Sequence, residues 1–201
     1  MTYPEEQPIG AAPTDGRETW ARLVRNTVAR VSEHAPGLKL VGPIAYAVDA
    51  SWRVIAYNDA FEETFIRRRV PENIFKWMVW EGRAQLPDHT KYWLRRAVPQ
   101  LDIQLQECPD HPELAELARW TEKTLGGPLR SAGRPGPDGD IRPLIHARYG
   151  SGSLWIGAAT PMGSSGRAVF AHFYQGVSPT ELRALLRSPE PRARRKWQGA
   201  A

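Results

Sequence analysis

The sequence predicts an α+β fold in which a five-stranded antiparallel sheet carries helices on one of its faces. Two strand-like runs come first, at about 43–49 and 52–57, and helical segments follow them. Three further strand-like runs, PLIHARY, SLWIGAAT and AVFAHFYQ, are separated by glycine-containing turns, as in an antiparallel meander. Because two strands alone bury little apolar surface, the economical arrangement is a single sheet with the middle helices packed across one face.

The first two strands form a hairpin in the stretch AYAVDASWRVIAYND, residues 45–59. Apolar residues alternate on both sides of its DAS turn, and side chains two residues apart lie on the same face of a strand. On the second strand this rule places Ile55 and Tyr57 together. One face of the sheet must meet the helices, so either set of alternating side chains is a candidate wall for a pocket.

Helical spacing predicts the segments between the two groups of strands. Short helices are expected at about 59–66 and 71–80, and a longer one from Pro87 to about 106, with Pro99 expected to bend or break it. A further helix is expected to begin at an Asp110 cap with Pro112 in its first turn.

The ends of the chain differ in composition from this body. Residues 1–14 are rich in Pro, Gly and Ala and are expected to be disordered, and residues 15–37 are expected to form an amphipathic helix. Residues 38–177 make up the predicted domain, and residues 178–201 a short helix and a basic tail. The amphipathic helix is a candidate contact for a protein partner or for a second copy of the chain.

The composition is that of an ordinary globular protein of 201 residues, with 41% hydrophobic and 24% charged residues. The sequence has no run apolar enough to span a bilayer and no signal peptide, and a single cysteine fits a reducing compartment, so we expect a cytoplasmic protein without a membrane partner. The net charge of +5 resides in residues 183–201, which hold six basic side chains and one acidic one. Contact with DNA is therefore expected to be weak or indirect, through the tail.

The hairpin resembles a known family. AYAVDASWRVIAYNDAFEETF is similar to the opening of the MmyB-like ligand-binding domain, a PAS-like domain of actinobacterial transcription regulators, which has an Ala-Tyr pair, an aspartate before the turn, a tryptophan and an Ala-Trp-Asn. These positions correspond here to Tyr46, Asp49, Trp52 and Asn58. PENIFKWM and CPDHPELAEL resemble later segments of the family, and the usual helix-turn-helix has no counterpart in this chain.

The resemblance implies a PAS-like fold with a cavity between sheet and helices, and a small, largely apolar, fatty-acid-like ligand. It implies a sensor that acts in transcriptional or secondary-metabolism regulation through a partner or self-association. No metal and no cofactor are expected. Asn58 also suits a helix cap, which is the alternative role for that residue. The candidate ligand-binding residues are Tyr46, Tyr57, Asn58, Phe61, Trp93, Trp155, Phe170 and His172.

Two other functions remain open at this stage. A small cofactor-independent enzyme, of the isomerase or cyclase type, would use the same cavity, with His89 and His172 as possible acid or base groups. However, the sequence contains no nucleophile elbow, P-loop or dinucleotide-binding fingerprint. A DNA-associated interaction protein would contact nucleic acid through its basic tail.

Overall fold

The computed structural model describes residues 40–128, 140–159 and 166–187. The disordered N-terminus predicted at 1–14, the amphipathic helix predicted at 15–37 and the basic tail beyond residue 187 lie outside the described residues.

The five predicted strands form one antiparallel sheet, which confirms the α+β class. The spatial order is β2-β1-β5-β4-β3, so the first and last strands pair at the centre and join the hairpin to the meander. The strands are β1 (Leu40–Val48), β2 (Val54–Tyr57), β3 (Asp140–His146), β4 (Gly150–Ala159) and β5 (Arg167–Gln175).

A β-bulge interrupts the hairpin. Tyr46 pairs with Tyr57 and Ala47 with Ala56, but Val48 pairs with Val54, so Ile55 is an extra residue on β2. The bulge breaks the two-residue alternation, and Ile55 packs with the alanines on the opposite side of the sheet from Tyr46. The prediction that Ile55 and Tyr57 share a face is therefore wrong.

The helical layer between β2 and β3 is made of short, irregular pieces followed by two longer helices. Pro99 lies inside the first of these longer helices, which continues through it; the proline removes only the hydrogen bond to Arg95, in the first turn. The pieces are α1 (Asp59–Glu62), a 3-10 turn (Ile66–Arg68), α2 (Ile74–Lys76), a π-helical turn (Trp77–Glu81), a 3-10 turn (Arg83–Gln85), a π-helical turn (Thr90–Leu94), α3 (Arg95–Glu107) and α4 (Pro112–Leu125).

The N-cap of α4 differs from the prediction. His111, not Asp110, occupies the cap position, and its Nδ1 accepts a hydrogen bond of 3.4 Å from the amide of Leu114. Pro112 begins the helix as predicted, and Gly126 ends it in a left-handed conformation.

The two faces of the sheet carry different covers. The face that bears Tyr46, called the cavity face here, meets the helical layer in the main hydrophobic core. On the other side, called the outer face, helix α5 (Pro179–Arg187) packs through Leu182 against Ile141 and Tyr174. The prediction that helices cover a single face therefore holds for the middle helices but not for α5. Within the described ranges, no helix combines the length and the apolar character needed to cross a membrane.

Candidate functional site

A cavity of about 110 Å³ lies between the cavity face and the helical layer. Strand residues such as Val48, Leu154 and Ile156 form its floor, and Met78 belongs to its helical roof. An apolar cavity of about 150 Å³ is known to hold benzene, so this somewhat smaller space suits at most a ring or a chain of roughly six carbons. Most ligand pockets are larger, at about 300–1,000 Å³.

Five aromatic rings form a continuous arch around the cavity. Tyr46 stacks on Phe61 with 4.3 Å between ring centroids, and Phe61 meets Phe65 edge to face at 4.8 Å. Phe65 contacts Trp77 at 5.0 Å, and Trp77 contacts Trp93 at 6.5 Å, both with nearly perpendicular planes. All five rings line the cavity, which lies inside this arch.

The two ends of the arch approach a buried guanidinium group. The guanidinium carbon of Arg142 is 5.2 Å from the centroid of the Trp93 ring. The Nε of Arg142 is 2.9 Å from Oδ2 of Asp140. Burial lowers the pKa of Arg142, and the neighbouring Asp140 opposes that shift. Arg96 reaches the same carboxylate at 3.6 Å, so Asp140 is shared between two arginines.

A second arginine lines the same end of the cavity. Arg167 lies 5.5 Å from the centroid of the Trp52 ring, and the Trp52 indole is held in turn by a 2.6 Å hydrogen bond to Gln104. Burial raises the pKa of Tyr46 to about 12, although Arg142 and Arg167 act to lower it. Tyr46 is therefore a neutral phenol at physiological pH.

This end is also where the cavity reaches solvent. Ala158 lines the cavity and is exposed, and Gln100 beside it is half-buried. The charged residues that line the cavity, among those described, are two arginines and one aspartate. The site is thus an apolar chamber with a polar, net positive rim, which suits a molecule with an apolar body and an anionic end.

The structure brings three of the eight sequence-predicted residues to the cavity, namely Tyr46, Phe61 and Trp93. Tyr57 lies on the edge strand and is 49% exposed; the centroid of its ring is 5.9 Å from that of Phe61, and it does not line the cavity. Asn58 does not line the cavity either. Its Oδ1 caps α1 at the amide of Phe61, which is the structural alternative considered above.

The other three predicted residues lie on the outer face. Trp155, Phe170 and His172 alternate with the cavity-facing residues of β4 and β5, and the ring of Trp155 packs beside that of His172 at 5.8 Å. Choosing the bulkier aromatic set on these strands selected the wrong face, because the smaller residues face the cavity.

Sequence reasoning missed the rim arginines. Arg142 lies on the same face of β3 as Leu144, and Arg167 lies on the same face of β5 as Val169 and Ala171. The signal available in the sequence was a charged residue in phase with the apolar side of a strand. Such a residue is usually buried with a partner or at a site, as Arg142 is here.

The structure does not place His89 and His172 together in the cavity. His172 is on the outer face, and Nε2 of His89 lies 2.7 Å from the carbonyl oxygen of Met78 in the π-helical turn. The two histidines therefore do not meet in the cavity, which the acid–base arrangement would require. The described residues also contain no group of three or more His, Cys, Asp or Glu side chains arranged to hold a metal ion.

No family model matches the chain, and no curated protein is significantly similar to it.

Proposed function

We propose that this protein is a PAS-like binding protein for a small molecule with an apolar body and an anionic end, such as a short fatty acid. The observation that carries the proposal is the aromatic arch closed at its rim by Arg142 and Arg167. The PAS-like assignment is supported by two strands before the helices, three after them, and a cavity between sheet and helical layer.

The rim supplies the chemistry for an anionic group. A guanidinium group donates hydrogen bonds in a planar fork that matches a carboxylate, and Tyr46 adds a neutral hydroxyl nearby. Arg142 and Arg167 both line the cavity at this end, and both are candidates for direct contact with the ligand. The apolar body would lie among the rings of Phe61, Trp77 and Trp93.

We further propose that ligand binding serves regulation, as in the MmyB-like domains that the hairpin resembles. Occupancy would then be passed to a partner protein or to a second copy of the chain, with the segment 15–37 as the contact. Cytoplasmic localisation belongs to the same proposal.

Native mass spectrometry of the purified protein is the direct test for a resident ligand, followed by extraction and identification of any adduct. A stoichiometric adduct with an acidic group and a short apolar body would support the proposal. A mass equal to that of the chain alone, unchanged after incubation with short alkyl carboxylates, would contradict it.

The role of the rim is tested by comparing hexanoate with hexanol in calorimetric titrations. The wild type is expected to prefer hexanoate, and Arg167→Gln is expected to weaken hexanoate binding about tenfold or more with little effect on hexanol, because one charge-assisted hydrogen bond is lost. Arg95→Gln is the matched control, since Arg95 is exposed on α3 and does not line the cavity. An equal loss of hexanoate affinity in Arg167→Gln and Arg95→Gln would argue against specific recognition of the carboxylate at the rim.

A further inference from the structure

A second depression lies directly behind the aromatic arch. This surface groove, of about 760 Å³, is open to solvent; Ile66 and Val70 line it together with charged side chains such as Arg69, Glu72 and Lys76. Phe65 and Trp77 line the cavity on one side and the groove on the other. A wall one side chain thick therefore separates the buried cavity from a much larger space.

Both residues of this wall, Phe65 and Trp77, are buried and in contact with each other. Phe65 is 3% exposed and Trp77 is 8% exposed, and their rings meet at 83°. Behind Trp77, Gly82 leaves room for the indole, because a Cβ at that position would lie 2.4 Å from the ring. The sequence thus provides a glycine where any other side chain would displace the tryptophan.

Irregular backbone flanks both members of the wall. The 3-10 turn that follows Phe65 holds Arg67 and Arg68 at φ values of 59° and 54°, in the left-handed region that non-glycine residues rarely adopt. Trp77 begins a π-helical turn, a geometry that is rare and concentrated at functional sites. Such conformations persist where the surrounding structure fixes them, and they often accompany ligand clamps.

We propose that Phe65 and Trp77 set the length of ligand that the cavity accepts. With the wall in place, the chamber ends after a chain of about six carbons. With either ring shortened, the cavity and the groove join, and a longer alkyl chain passes through to lie over the 55%-exposed Ile66 and over Val70. This inference rests on the proposed function, since it concerns the far end of the same site.

The test is a chain-length series of linear alkyl carboxylates, from four to twelve carbons, titrated against the wild type and three variants. In the wild type, affinity is expected to increase about fourfold per methylene up to roughly six carbons and then to fall. In Phe65→Leu and in Trp77→Leu the increase is expected to continue beyond that length. Phe61→Leu is the matched control, because Phe61 lines the cavity but not the groove, and its limit is expected to shift by no more than about one carbon.

The outcomes separate the wall from the binding site itself. Suppose that the wild type binds short carboxylates and the chain-length limit moves equally in all three variants, or in none. The proposed role of Phe65 and Trp77 in setting that limit is then overturned, and the proposed function stands. If neither the wild type nor any variant binds a carboxylate of any length, both are overturned. Thermal unfolding of each variant establishes that it is folded, and if Phe65→Leu does not fold, the series with Trp77→Leu decides.

Discussion

The two faces of the sheet are packed differently, although the same strands supply both. On the cavity face, large rings meet edge to face and leave a chamber of about 110 Å³. On the outer face, three alanines at the centre of the sheet, Ala45, Ala47 and Ala168, are 0% exposed. The rings over the cavity face therefore enclose a chamber, whereas the outer face combines these alanines with the aromatic residues Trp155, Phe170 and His172.

The covers of the two faces are also attached differently. Three amide side chains tie the short pieces over the cavity face to strands or turns of the sheet: Asn58 donates to Pro43, Asn73 to Ser51, and Gln85 to Ile145. Helix α5 on the outer face is held mainly by the buried Leu182. Arg183 of the same helix donates a hydrogen bond to the carbonyl of Ile141, so this arginine of the predicted basic tail is partly engaged within the fold.

The largest expected effect compares two phenylalanines of β5 on opposite faces. Phe173 is 0% exposed in the main core, and Phe173→Ala is expected to lower the free energy of unfolding by about 3–5 kcal/mol through the cavity it leaves. Phe170 on the outer face is only partly buried, so Phe170→Ala is expected to cost clearly less. Urea denaturation of the two variants measures both values. Equal losses of unfolding free energy would mean that packing at Phe170 on the outer face contributes as much to stability as packing at Phe173 in the main core.

The order and type of elements followed from the sequence because they depend on local patterns. Alternation placed Tyr46 with Ile44 and Val48 on one face of β1, and all three line the cavity. The capping residues of α5 were also readable: Ser178 and Glu181 exchange hydrogen bonds of 2.8 Å and 3.3 Å across the first turn.

The site was less predictable because it depends on which face of each strand meets the helices. Alternation defines two faces but does not say which is inside, and on β5 the aromatic set with Phe170 and His172 lies outside. The extra residue Ile55 also reverses the alternation within β2, and a bulge has no clear local signal there. The position of Arg142 at the rim depends on the tertiary fold, which local sequence patterns do not reveal.

The next effect tests the attachment of the helical layer. Asn58 accepts hydrogen bonds from the amides of Ala45 and Phe61 and donates one to the carbonyl of Pro43. Asn58→Ala removes these three hydrogen bonds and is expected to cost about 1–3 kcal/mol of unfolding free energy, measured in urea. Asp59→Ala, at the exposed neighbouring position, is the control and is expected to cost less than about 0.5 kcal/mol. A similar loss in both variants would exclude a specific role for the Asn58 amide.

The smallest expected effect is a pH dependence to which each face contributes one histidine. His146 on the cavity face and His172 on the outer face are buried, and burial lowers the pKa of both below the ordinary 6.5, with Glu63 opposing the shift at His146 and Arg148 adding to it. The unfolded chain then binds protons more readily than the folded one, so stability is highest above pH 6.5 and declines as the pH falls from there to the lowered values. Urea denaturation between pH 7.5 and pH 5 measures this decline; His172→Phe and His146→Phe should each reduce it, and the double variant should reduce it further. If the double variant keeps the full pH dependence of the wild type, other groups are responsible and the two histidines do not titrate as their burial implies.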